Sequence, residues 1–180
     1  MPPTAFSLSE VRQVLAHTPA SLDALIRPLP EALLSATEGP GTWSPHQVLA
    51  HLVWGEVDDW MPRVRRVMSQ TGEPFTPFDR EAGFARYAGW PVGRLLDEFR
   101  DRRAASLREL DAFALQPASL RLTGRHPEFG SITLEQLLAT WVTHDYAHLT
   151  QIARVLTRHY GEWVGPWRAY FSALRVPAQP

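Results

Sequence analysis

Two histidines four residues apart carry the clearest chemical signal in the chain: His144-Asp145-Tyr146-Ala147-His148. On a helix, positions i and i+4 stand one above the other, with Cβ atoms about 6 Å apart. Both imidazoles can then reach one metal ion. The direction of the pair matters as much. At ~100° per residue, Leu134, Leu137, Trp141, Ile152 and Val155 fall within about 40° of a common direction. His148 lies in the middle of this stripe and His144 at its edge. A buried polar group without a partner costs about 1–3 kcal/mol. Inward histidines therefore need either backbone carbonyls or a shared ion. Two of them on one face favour the ion.

A third ligand must come from elsewhere. His51 is the first candidate, because Val48 to Gly55 is apolar on every side and His51 is its one ionisable group. It projects about 160° away from Val53 on the main apolar stripe of its helix. It can therefore meet the other two only if the last long helix or a loop packs on that side. By spacing alone, His46, His126 and Glu162 stay open as alternatives. Three neutral imidazoles on Zn²⁺ leave a further coordination position free, the pattern of a catalytic site. Imidazole also suits Ni²⁺ and Fe²⁺. Asp145 and Gln151 lie near the inward face, and Gln47 and Asp58 sit one and two turns from His51 on its own face. Each is a possible partner that orients a ligand or binds substrate, although solvation or capping explains each one separately. Trp141, one turn before His144, is expected to wall a pocket. The histidine pair is similar to the HExxH helix of zinc proteases, with Asp145 replacing the glutamate base, but the rest of that pattern is missing.

Composition narrows the chemistry. Cysteine is absent, which removes disulfides, thiolate ligands and a cysteine nucleophile. All 18 basic residues are arginine, so no lysine is available for Schiff-base chemistry. A net charge of -1, with arginines scattered among acids, lacks the footprint of nucleic-acid binding. No apolar run approaches the ~20 residues of a membrane span, and the first twenty residues show no signal-peptide pattern. A cytoplasmic protein is expected.

The 180 residues fit one domain, 1–180. A first helical segment, Ser7 to Leu34, is interrupted by Pro19, Pro28 and Pro30 and should form two or three pieces. A second starts at Ser44-Pro45 with Gln47 placed for a capping box, kinks at Pro62 and ends near Gln70. A long loop, Thr71 to Trp90, holds one short turn near Asp79 to Ala85. A third helix spans Pro91 to Ala114. A second loop, Gln116 to Ser131, precedes a fourth helix from Thr133 to Tyr160. Gly165 to Leu174 forms a short C-terminal helix. The fold class is all-α, a four-helix bundle with long connecting loops, and such bundles build metal sites between facing helices.

Several of these residues carry a family resemblance. Trp43-Ser44-Pro45, then Val48-Leu49-Ala50-His51-Leu52, and Thr143-His144-Asp145-Tyr146-Ala147-His148-Leu149-Thr150-Gln151-Ile152 about ninety residues on, resemble the DinB-like superfamily. The stretch from Gly124 through Gly130 into Thr133–Leu138 is similar as well. The resemblance covers about Ser7 to Tyr160. It implies a four-helix bundle with three histidine ligands, here His51, His144 and His148, holding one divalent transition metal per chain. It also implies a homodimer. For some members it implies metal-dependent transfer or isomerisation with small thiols such as bacillithiol, mycothiol or glutathione.

The expected function is a metal-dependent thiol S-transferase, joining a small-molecule thiol to an electrophile in detoxification or stress response. The alternatives are a non-catalytic divalent-metal-binding stress protein, a metal-dependent hydrolase in which water is the nucleophile, and a scaffold whose histidines are core residues.

Overall fold

The computed structural model describes residues 5–175. Four long helical rods form the bundle: α1 (Leu8–Ile26), the broken rod α3 (Pro45–Asp58) and α4 (Trp60–Ser69), α6 (Val92–Ala112) and α7 (Leu134–His159). Two short helices, α2 (Glu31–Leu34) and α5 (Ala82–Arg86), sit in the connections. The C-terminal piece is helical but tighter than α, with 3-10 turns at Gly165–Tyr170 and Ser172–Leu174. Among the described residues, no helix is long and apolar enough to cross a membrane.

The helix starts are chemically specified. Ser44 accepts the backbone N–H of Gln47 while the Gln47 side chain accepts that of Ser44. Thr133 and Gln136 form the same reciprocal pair at the head of α7. Each pair satisfies two donors that a helix N-terminus otherwise leaves bare.

The two internal prolines act differently. Pro62 has no N–H to give, and its ring crowds the preceding turn, so the second rod breaks at Asp59 between α3 and α4. Pro19, expected to interrupt the first segment, instead sits inside a continuous α1. The carbonyl it leaves without a donor belongs to Leu15, and Arg103 of α6 donates to it at 2.9 Å.

Arg103 also joins a buried ionic layer. It pairs with Glu56 of α3 at 2.8 Å and Asp145 of α7 at 2.6 Å. The indole N–H of Trp141 completes the layer on Glu56 at 3.1 Å. Above and below it lie two apolar clusters, one around Val48, Leu52, Leu95, Phe99 and Ile152, the other around Trp60, Val64, Leu107, Leu134 and Leu138.

A small β-hairpin, which the sequence pattern does not predict, closes one end. Strands β1 (Thr123–His126) and β2 (Gly130–Thr133) pair antiparallel as a hairpin that leads into α7. Pro74 bridges to Arg125, which fastens the 71–90 connection to this hairpin.

Candidate metal centre

α3 is apolar and buried on nearly every side, so no single stripe decides which way it faces. α6 packs along one flank, while α7 and the 71–90 connection cover the other. His51 therefore points at α7, although it lies opposite the main stripe of its helix. It is 2% exposed. Its Nε2 is 2.9 Å from Nε2 of His144, which is in turn 3.1 Å from Nε2 of His148. The three ligand atoms all lie within 4.8 Å of one another.

The outer nitrogens show where the protons are. The Arg80 carbonyl can only accept, so His51 donates to it through Nδ1–H at 2.8 Å. His148 donates through Nδ1–H to Gln151 Oε1 at 2.8 Å. We assign both tautomers from these partners. Both Nε2 atoms then carry bare lone pairs. A single proton on His144 Nε2 can serve only one of them, and at least one close N···N contact is left as facing lone pairs. A cation between them removes that conflict. With metal–nitrogen bonds of about 2.0–2.1 Å, the separations of 2.9 and 3.1 Å correspond to N–metal–N angles of roughly 90–100°. This donor set fits a divalent transition ion and leaves one side for further ligands.

The electrostatics agree. Burial lowers the His51 pKa to about 4, helped by the charge of His148. Burial also lowers His144 well below the ordinary value, and lowers His148. All three are neutral at neutral pH, the form that binds metal.

The free side opens on a pocket of 570 Å³, within the usual range for small-molecule sites. Trp60, Phe78 and Phe129 supply apolar wall, and Asp59, Arg63, Arg80 and Glu128 supply charge. Trp60 packs edge-on against His144 with ring centroids 5.0 Å apart. Trp43 backs the cluster, 5.0 Å from the His51 ring and stacked 6.0 Å from His148. Asp59 stands at the Pro62 break and is tied to Arg63 at 2.5 Å. Burial raises its pKa to about 6, against the lowering effect of Arg63.

The other expected site residues divide. Gln151 is hydrogen-bonded to His148 through its side-chain oxygen. Gln47 does not reach the cluster, because its side chain is occupied in the α3 cap. Asp58 is exposed, and its neighbour Asp59 is the acid in the pocket. Asp145 turns to Arg103 rather than to a ring nitrogen. Trp141 is fully buried behind Trp60, stacked on it at 5.5 Å, so Trp60 is the indole that walls the pocket. Of the alternative ligands, His46 bonds the Trp90 carbonyl. His126 lines the pocket but uses Nδ1 to accept the N–H groups of Glu128 and Phe129. Glu162 is an exposed side chain in the C-terminal segment.

Comparison with known proteins agrees with this architecture. A solved structure, described as "YfiT from Bacillus subtilis is a probable metal-dependent hydrolase with an unusual four-helix bundle topology", superposes with a TM-score of 0.75 at 21% identity, over 89% of this chain and 93% of that one. A second, "Crystal structure of TT2238, a four-helix bundle protein", gives a TM-score of 0.55 at 26% identity, over 82% of this chain and 98% of that one. Functionally curated proteins give no significant sequence match. Residues 15–152 match the DinB superfamily, and the chain belongs to that family.

Proposed function

We propose that this protein is a metal-dependent enzyme in which His51, His144 and His148 hold one divalent transition ion, and that it joins a small thiol to an electrophile. The observation that carries the metal is the convergence of three Nε2 atoms on the floor of a pocket, two of them, on His51 and His148, in rings whose Nδ1 protons are committed elsewhere. The family resemblance motivates the thiol, and the chain contains no thiol of its own. When bound, a divalent ion lowers the pKa of a thiol or water ligand and makes it nucleophilic at neutral pH. The protein's own groups do the rest. The carbonyl of Arg80 and the amide of Gln151 fix two imidazoles. Trp60 and Phe78 keep water from the inner wall. Asp59 holds or accepts a proton near pH 6.

A second reading, hydrolysis with water as the nucleophile, is favoured by the description of the YfiT structure. Turnover separates the two. The protein, loaded in turn with Zn²⁺ or Ni²⁺, is assayed with 1-chloro-2,4-dinitrobenzene plus glutathione or cysteine, and with p-nitrophenyl acetate without thiol. Conjugation that needs both ion and thiol, and stops on chelation, is the expected result. Ester cleavage independent of thiol would replace the transferase with a hydrolase. A tightly bound ion with neither reaction would leave a binding protein.

A further inference from the structure

The pocket beside the three histidines carries four charged side chains. Arg63 is neutralised by Asp59. Glu128 lies at the exposed tip of the β1–β2 hairpin. The remaining cation, Arg80, has no carboxylate within ion-pair distance among the described residues.

Arg80 is nonetheless held in place. Its carbonyl accepts the Nδ1–H of His51 at 2.8 Å, and its guanidinium lies over Trp43, with Cζ 5.4 Å from the ring centroid. Trp43 itself packs on His51 and His148. On the other side, the Asp79 side chain accepts the N–H groups of Glu81 and Ala82, which sets the turn into α5. α5 is seated without slack, since a Cβ at Gly83 would come within 2.6 Å of the Ala50 carbonyl and 2.9 Å of Trp54 Cβ. The positive charge of Arg80 is felt by all three imidazoles, where it disfavours their protonation.

Arg80 is exposed, as is Glu128, the other charge of the wall with no ion pair among the described residues, and the guanidinium held over Trp43 keeps its donors free for an anion. The planar guanidinium fork matches a carboxylate, and the walls beside it are aromatic. We propose that Arg80 anchors the carboxylate of a small-molecule substrate whose apolar part lies against Phe78 and Trp60. This rests on the pocket being the active site, and it adds the substrate class.

The test is binding of phenylacetate, with 2-phenylethanol as its neutral counterpart. Binding to the full chain is followed by ligand-observed NMR and calorimetry, with and without one equivalent of Zn²⁺. The proteins are wild type, Arg80→Gln and Arg86→Gln, the last altering an arginine that lies over Trp54 outside the pocket. Phenylacetate is expected to bind the wild type, to bind Arg80→Gln about tenfold or more weakly, and to bind Arg86→Gln unchanged, with 2-phenylethanol much weaker throughout. Zinc uptake by Arg80→Gln shows that the variant's site is intact. Equal affinity in Arg80→Gln, or no phenylacetate binding by the wild type, overturns the inference. Arg80-dependent binding in a protein that takes up no zinc would leave the inference standing and remove the metal reading instead.

Discussion

Replacing Asp59 with asparagine should stabilise the protein at neutral pH and leave it nearly unchanged in acid. Asp59 is 5% exposed, and burial outweighs Arg63 in setting its pKa, which rises from 3.8 to about 6. Between these values the folded state binds more protons than the unfolded state. The Asp59 contribution to stability is therefore greatest below pH 3.8 and is lost as pH rises through 6. At ~1.4 kcal/mol per pKa unit the full difference is about 3 kcal/mol, and the part developed between pH 4 and pH 7.5 is about 2 kcal/mol. Asparagine removes the charge and keeps the shape. Urea unfolding of metal-free wild type and Asp59→Asn at the two pH values reads the difference directly. The gain of the variant over wild type should grow by about 2 kcal/mol from pH 4 to pH 7.5. An equal ΔΔG at both values, or a variant less stable at pH 7.5, would refute the claim that Asp59 is a carboxylate held in the pocket against its burial. Such a group is also what a proton-transfer role requires, so the variant should lose turnover while it gains stability.

The histidines should respond to acid in the opposite sense. With the His51 pKa lowered to about 4, its contribution is present above pH 6.5 and lost as pH falls to about 4, a share of roughly 3 kcal/mol. His144 and His148 act in the same direction, so thermal melts of metal-free protein should fall across this window despite the opposing effect of Asp59. A flat profile would contradict the buried, neutral cluster. Arg103→Met should cost about 4 kcal/mol in urea unfolding, because it leaves Glu56 and Asp145 as unpaired buried acids and Leu15 without its donor. A cost below ~1 kcal/mol would mean that this ionic layer contributes little. Saturation with Zn²⁺ at a hundred times its Kd should stabilise wild type by about 2.7 kcal/mol and leave His148→Ala unmoved.

Much of the bundle is readable from local chemistry. The caps at Ser44 and Thr133 and the kink at Pro62 depend on residues within a few positions of each other, so a linear sequence displays them. Pro19 does not fit that rule, because the donor that rescues its turn is Arg103, 88 residues from Leu15. The hairpin has four-residue strands, Thr-Gly-Arg-His and Gly-Ser-Ile-Thr, with no apolar alternation to mark them. At the site, the i, i+4 pair reveals itself through helical period alone. The direction of His51 is harder, since a helix apolar all round carries no preferred face, and only the packing of α7 and the Arg80 segment settles it. Asp145 and Trp141 lie on the correct side of α7 but are claimed by Arg103 and Glu56, partners more than forty positions away. Asp59 follows a near-identical neighbour, and the break at Pro62 decides which of the two faces the pocket. Arg80 sits in an irregular connection, where no periodicity points to it.

The metal content of untagged protein, determined by elemental mass spectrometry beside a His148→Ala variant, bears most directly on the central claim. About one divalent transition ion per chain is expected in the wild type, with its loss in the variant. No metal in either protein, with no uptake of Zn²⁺ or Ni²⁺ on titration, would contradict it and leave three core histidines at the floor of a pocket.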